Sequence, residues 1–156
     1  MSLQPASENA RVARVAIVGS GLVGSTTAYA LLLSGTVPEI VLIDQDRHLA
    51  EGQVQDLRDG ALFSRTTRIL AGGFSDCDTA DVIIIAAGVH QTAQGRSRLD
   101  DLKQCASIVK SIILEIVRHD PQGILLIASN PVDVLTYAAW KWSGLPSRRV
   151  IGPELR

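Results

Sequence analysis

The run Val12-Ala13-Arg14-Val15-Ala16-Ile17-Val18-Gly19-Ser20-Gly21-Leu22-Val23-Gly24 opens on aliphatic, partly β-branched residues and closes on three glycines in a GxGxxG spacing. A second apolar run, Glu39-Ile40-Val41-Leu42-Ile43, ends on an acid, Asp44. A strand, a glycine turn, a helix, a second strand and an acid form the layout that holds a dinucleotide. Gly19 permits the tight strand-to-helix turn, Gly21 lets a pyrophosphate approach the backbone, and Gly24 lets the helix pack close on the strand. Leu22 and Val23 open the helix whose free N–H groups would meet the phosphates. Asp44 would accept hydrogen bonds from the adenosine ribose hydroxyls and repel a phosphate there, so the expected cofactor is NAD rather than NADP. Because glycine turns also serve loops with no ligand, the weight rests on the whole arrangement and not on the glycines alone.

The rest of the chain supports that architecture. Its 156 residues suffice for one domain with a real core. Apolar residues make up 46% and aromatics only 4%, so the core must be aliphatic, as in an α/β sheet buried on both faces. A net charge of −1, with no long basic block, disfavours nucleic acid or an anionic membrane as partner and favours a small molecule. Cys77 and Cys105 are far apart and show neither CxxC nor Cys/His ligand spacing, which suggests reduced thiols and no metal site. Residues 1–11 are expected to form a flexible arm on a cytoplasmic protein, since they lack the apolar stretch of a signal peptide.

Strand and helix signals alternate along the chain, predicting a single Rossmann-type doubly wound parallel sheet over residues 12–152. The expected strands are 12–18, 40–43, 67–70, 82–86, 124–128 and 149–151. The expected helices are 22–33, 48–61, 99–119 and one that ends at Gly144. The third has Leu99, Leu102, Ala106, Val109, Ile113, Ile116 and Val117 at helical spacing, with Ser97 and Asp100 as a capping box. The fourth should start at Asn130 as N-cap, with Pro131 in the first helical position.

Ligands of such sheets bind beyond the carboxyl ends of the strands. Four loops qualify: 19–24, Asp44 with Gln45, 87–98 and 129–133. The third is long and polar, suggesting a lid that closes over substrate, or else a solvated connection. Arg98 at its end could clamp a carboxylate or polarise a carbonyl. Asn130 could bind ligand or serve only as a helix cap. The pair His119-Asp120 is an ordinary helix-end feature rather than a catalytic dyad.

Several motifs together resemble the lactate and malate dehydrogenase family: Val18-Gly19-Ser20-Gly21-Leu22-Val23-Gly24-Ser25, Val41-Leu42-Ile43-Asp44, Gln55-Asp56-Leu57, Ala86-Ala87-Gly88, Arg98-Leu99-Asp100, Ser129-Asn130-Pro131-Val132-Asp133-Val134-Leu135-Thr136-Tyr137 and Trp140-Lys141-Trp142-Ser143-Gly144-Leu145-Pro146. The resemblance covers about residues 12–152. It implies that Arg98 polarises the carbonyl of a 2-oxo acid during hydride transfer, and that Asn130 contacts both substrate and nicotinamide. It also places Val23, Asp44, Gly88 and Val89 among the NAD contacts. Gln91 falls at the position where lactate enzymes carry glutamine and malate enzymes arginine. A neutral glutamine leaves a second substrate carboxylate unpaired, which favours pyruvate.

Two departures from the family pattern matter. One extra residue separates Gly88 from Arg98, so counting back from Arg98 reaches Thr92. Gln91 is preferred because the insertion fits more easily near Gln94 and Gly95, and Arg96 replaces the usual acid of that loop. The family's proton-exchanging histidine, its partner aspartate and a carboxylate-binding arginine follow the position of Gly152 in chains about twice as long. Here Pro153-Glu154-Leu155-Arg156 follow instead. The expectation is a cofactor-binding half of a lactate-type oxidoreductase, inactive alone. The alternatives are a non-catalytic module that holds NAD, or that assembles as a homo-oligomer or with full-length subunits, and an enzyme with malate specificity.

Overall fold

Six strands form one parallel sheet in the order β3-β2-β1-β4-β5-β6. The computed structural model describes residues 12–60, 67–88 and 98–153, with the side chain of Arg98 excepted. The elements are β1 (Arg14–Val18), α1 (Leu22–Ser34), β2 (Glu39–Ile43), α2 (Arg47–Gly60), β3 (Arg68–Ala71), β4 (Val82–Ile85), α3 (Arg98–Arg118), β5 (Ile124–Ile127), α4 (Val132–Ser143) and β6 (Val150–Ile151). This is the strand order of two mononucleotide-binding halves meeting at β1 and β4, with the topological switch point between them. The doubly wound parallel sheet expected from the alternating signals is therefore present.

Burial alternates along each central strand because successive side chains point to opposite faces. Val15, Ile17, Ile40, Leu42 and Ile84 join Ala28 and Leu32 of α1 and Ala50, Val54 and Leu57 of α2. Ala16, Val18, Val41, Ile43, Ile83 and Ile85 join Cys105, Val109, Ile113 and Ile116 of α3 and Leu135 and Ala139 of α4. Both faces are covered, so β2 is buried at every position, Glu39 included. The Glu39 carboxylate is paired by Arg14 at 2.6 Å and Arg68 at 3.5 Å. That cluster lies at the amino ends of the strands and closes the sheet's lower edge.

Register decides where the site can be. Val18 pairs with both Ile43 and Ile85, and Ile85 pairs with Ile127, so β1, β2, β4 and β5 end level with one another. The loops that leave them form one rim.

Several boundaries differ from the sequence expectations. β1 begins at Arg14 rather than Val12, whose side chain is exposed; the Arg14 N–H donates to Asp81 Oδ2 at 2.8 Å. α4 begins at Val132, with Pro131 and not Asn130 at the N-cap. Pro131 is extended and its carbonyl takes the first intrahelical bond, from Leu135 N–H at 3.0 Å, so Asn130 lies one residue outside the helix. Asp46 caps α2 instead, accepting from the N–H groups of His48 at 3.1 Å and Leu49 at 3.3 Å. Leu99, expected on the buried stripe of α3, is exposed. The 21-residue helix runs about 31 Å, against about 13 Å for the 4-residue β4, and its first turns overhang the sheet. Ser97, the expected cap of that helix, lies outside the described residues, as do the N-terminal arm and most of the expected lid.

The Cys77 thiol is fully buried, and burial, with the carboxylates of Asp76 and Asp78 adding to it, pushes its pKa from 9.0 up to about 12. The folded state thus keeps a proton that the unfolded chain releases above pH 9. Its contribution is complete below pH 9 and is lost as pH rises toward 12. A Cys77→Ala chain is expected to be less stable than wild type at pH 8, and the gap should narrow by up to roughly 1.4 kcal/mol per unit above pH 9. Urea midpoints at pH 8 and pH 10.5 check this; a gap that stays constant would refute it.

Candidate functional site: a cleft at the switch point

The turn after β1 is shaped by what its glycines exclude. Gly19 has φ +104, which L side chains rarely adopt, and a Cβ there would lie 2.7 Å from Ala87 N and 2.8 Å from Ala86 C. Its N–H donates to Ile43 O at 2.8 Å, tying the turn to the end of β2. A Cβ on Gly24 would overlap the Gly19 carbonyl oxygen, so this glycine is what lets α1 sit against the turn. A Cβ on Gly21 would meet nothing within 4 Å. Gly21 therefore borders open space, as required where a ligand approaches the backbone.

That space is a cleft of about 810 Å³ at the carboxyl ends of β1, β2 and β4. Gly19, Gly21, Leu22, Val23, Asp44 and Gly88 all line it. No side chain caps the N-terminus of α1, and its first turn contains no acid. The N–H groups of that turn, which an α-helix cannot satisfy itself, are thus available to an anion. Asp44 is half-buried, and its carboxylate accepts from Ser20 N–H at 2.7 Å and Asp46 N–H at 3.0 Å. Both bonds fix its position, and its remaining lone pairs can still accept from hydroxyls. A mostly apolar cleft with an anion-receptive floor and a fixed carboxylate suits a dinucleotide carrying an unphosphorylated ribose.

The sequence-predicted residues are not all brought together. Asn130 is exposed and lines a second groove, of about 860 Å³, with Pro131, Val132, Tyr137, Trp140 and Ile151. Its backbone is nonetheless held at the rim, because Cys105 Sγ donates to Asn130 O at 3.4 Å. Ser129, buried at the end of β5, donates to Ala87 O at 2.5 Å and lies 3.2 Å from Ile85 O, stitching β5 to the end of β4. Val89, Gln91 and the Arg98 side chain lie outside the described residues. Sequence reasoning missed the far wall of the cleft: Leu49, Phe74, Ile108, Ser111, Ile112 and Glu115. Ile108 and Ile112 had a visible signal, being apolar residues four apart on a helix the sequence predicts.

Ser20 is fully buried, and its hydroxyl has no hydrogen-bond partner among the described residues. An unsatisfied buried hydroxyl is costly. Ser20→Ala, which keeps the N–H that Asp44 accepts, is expected to raise stability by about 1 kcal/mol and to leave NADH affinity unchanged. A lower urea midpoint for the variant would contradict this.

Among the described residues no group of His, Cys, Asp and Glu could hold a metal ion, and no helix is long and apolar enough to cross a membrane. A switch-point cleft, a glycine turn and a fixed acid after β2 define a dinucleotide-binding domain. Over residues 13–152 the sequence matches the family described as lactate/malate dehydrogenase, NAD binding domain, and the chain belongs to that family. The L-lactate dehydrogenase of Acetivibrio thermocellus is 46% identical over 146 residues, covering 94% of this chain and 46% of that relative. A probable L-lactate dehydrogenase of Schizosaccharomyces pombe is 48% identical over 139 residues, covering 89% and 42%. Among solved structures, the minor L-lactate dehydrogenase from Enterococcus mundtii in its ligands-bound form aligns with a TM-score of 0.87 and 41% identity, over 91% of this chain and 45% of that one. The chain spans about half the length of the curated relatives it matches.

Proposed function

We propose that this chain is the cofactor-holding part of an L-lactate dehydrogenase. The observation that carries the reading is the cleft itself: open at Gly21, floored by the uncapped start of α1 and flanked by a fixed Asp44. In this reading Gly19, Gly21, Leu22, Val23 and Gly24 form or support the pyrophosphate cradle, Asp44 holds the adenosine ribose, and Gly88 and Val89 border the cofactor. Bound NADH would supply the hydride that reduces the carbonyl of pyruvate. Arg98 draws electron density toward the carbonyl oxygen, since a guanidinium there stabilises the charge that develops. Asn130 orients the substrate through its carboxamide, which has no hydrogen-bond partner among the described residues. Gln91 offers no cation to a second carboxylate, so oxaloacetate is disfavoured. By the resemblance, the proton-exchanging histidine belongs to the part of the relatives that this chain does not span. The 156 residues alone therefore bind NADH and do not turn over pyruvate.

Two measurements test this. Calorimetry of the chain with NADH should show one site; no binding overturns the cofactor reading. Residues 1–152, joined to the second half of the Acetivibrio thermocellus relative, should oxidise NADH with pyruvate and much more slowly with oxaloacetate. A preference for oxaloacetate would refute the lactate reading and move the chain to malate.

A further inference from the structure

The cleft extends well past Asp44. Beyond that acid its walls are Leu49, Phe74, Ile108 and Ile112, four apolar side chains from α2, the turn after β3, and α3. Apolar walls of this kind suit the faces of a planar ring. Apart from the exposed Gln45 next to Asp44, and from Asp46, whose Oδ1 is taken by the cap of α2, the polar side chains at this end are Ser111 and Glu115, one turn apart on α3. Their hydrogen-bonding character is one-sided. Ser111 spends its proton on Ile108 O, at 2.8 Å, and has only lone pairs left to offer. Glu115 is half-buried; Arg118 Nη1 holds its Oε2 at 2.6 Å, and His119 Nε2 lies 3.8 Å from its Oε1. Its carboxylate oxygens thus face these two groups as acceptors.

We propose that Glu115, assisted by Ser111, selects the base of the dinucleotide by accepting from an exocyclic amine. The proposal rests on the NADH reading above and adds a specificity that the glycine turn and Asp44 do not supply. Adenine carries a 6-amino donor. Hypoxanthine carries a carbonyl oxygen there, which would set acceptor against acceptor. A site built to accept from an amine rejects an analogue that lacks it, because its own groups are then left facing a lone pair.

The test is a pair of titrations by calorimetry, with NADH and with reduced nicotinamide hypoxanthine dinucleotide, which differs from NADH only at that amine. Wild type is expected to bind NADH on the order of tenfold more tightly. Glu115→Gln should bring the two affinities within about twofold, since a carboxamide can turn its N–H₂ toward a carbonyl. Ser111→Ala should narrow the ratio less. If wild type fails to bind NADH, the underlying cofactor reading fails with the proposal. Should it bind both dinucleotides equally, the cofactor reading survives and the proposal is overturned, whatever the variants do. A Glu115→Gln chain that keeps the wild-type ratio also overturns it.

Discussion

Gly24→Ala is expected to unfold the domain, whereas Gly21→Ala should leave it folded and unable to hold NADH. The two substitutions add the same methyl group a few residues apart, and the surroundings decide the outcome. At Gly24 the new carbon would overlap the Gly19 carbonyl oxygen and sit 3.0 Å from Gly19 C. Neither atom can move freely, because Gly19 is held by its N–H bond to Ile43 O and by the backbone of Ala86 and Ala87 pressed against it. Relief requires moving α1 off the sheet, which would part Ala28 and Leu32 from Ile17 and Leu42. Overpacking at a site that cannot yield costs about 3 kcal/mol or more, a large share of a small domain's stability. At Gly21 a methyl group meets no protein atom within 4 Å and projects into the space a pyrophosphate would occupy. Losing two charge-assisted N–H contacts at about 1.5 kcal/mol each amounts to roughly a hundredfold in affinity. Far-UV circular dichroism with urea melts, followed by NADH titration, separates the cases. A Gly21→Ala chain with wild-type affinity would remove the pyrophosphate from this turn.

What could be read in the sequence follows from how local each cause is. The glycine turn, Asp44 and the alternation of strands and helices are consequences of spacing, so they were legible; the strand order was not, because a doubly wound pattern admits more than one. The cap of α4 was not. Asn130 is a good capping residue by type, but extended Pro131 supplies the carbonyl that takes the first helical bond, and nothing in the composition marks a one-residue shift. Leu99 carried the right periodicity and is exposed because a long helix overhangs short strands, which is a relation between two elements. Glu115 and Phe74 illustrate the same limit. They face Asp44 across a cleft only because β2, β4 and α3 meet at one rim, and no spacing along the chain encodes that meeting. Ser129 read as part of a family motif, whereas its action, bonding the carbonyl of Ala87 from the neighbouring strand's loop, is purely tertiary.

Asp44→Ala is expected to erase most of the preference for NADH over NADPH, because the substitution acts on both ribose substituents at once. In the wild type the carboxylate accepts from the Ser20 and Asp46 N–H groups and keeps lone pairs for a ribose diol. A 2′-phosphate would instead meet that charge; at about 4 Å near a protein surface, one pair of like charges costs about 4 kcal/mol before salt screening. Wild type should therefore prefer NADH over NADPH by at least about a hundredfold at low ionic strength, and by less as salt is added. Removing the carboxylate takes the acceptors away from NADH. It also frees the Ser20 and Asp46 N–H groups, beside the uncapped start of α1, to donate to an anion. NADH affinity should drop by roughly tenfold, from the loss of about one net hydrogen bond, while NADPH affinity rises, so the ratio shifts by about two orders of magnitude. The variant should also lose about 1–2 kcal/mol of stability, since two backbone donors lose a charged acceptor. Titrating both cofactors into both chains at two salt concentrations measures each part separately. An unchanged ratio in Asp44→Ala would mean that the ribose is held elsewhere, and that the two bonds at Asp44 serve only to lock the turn.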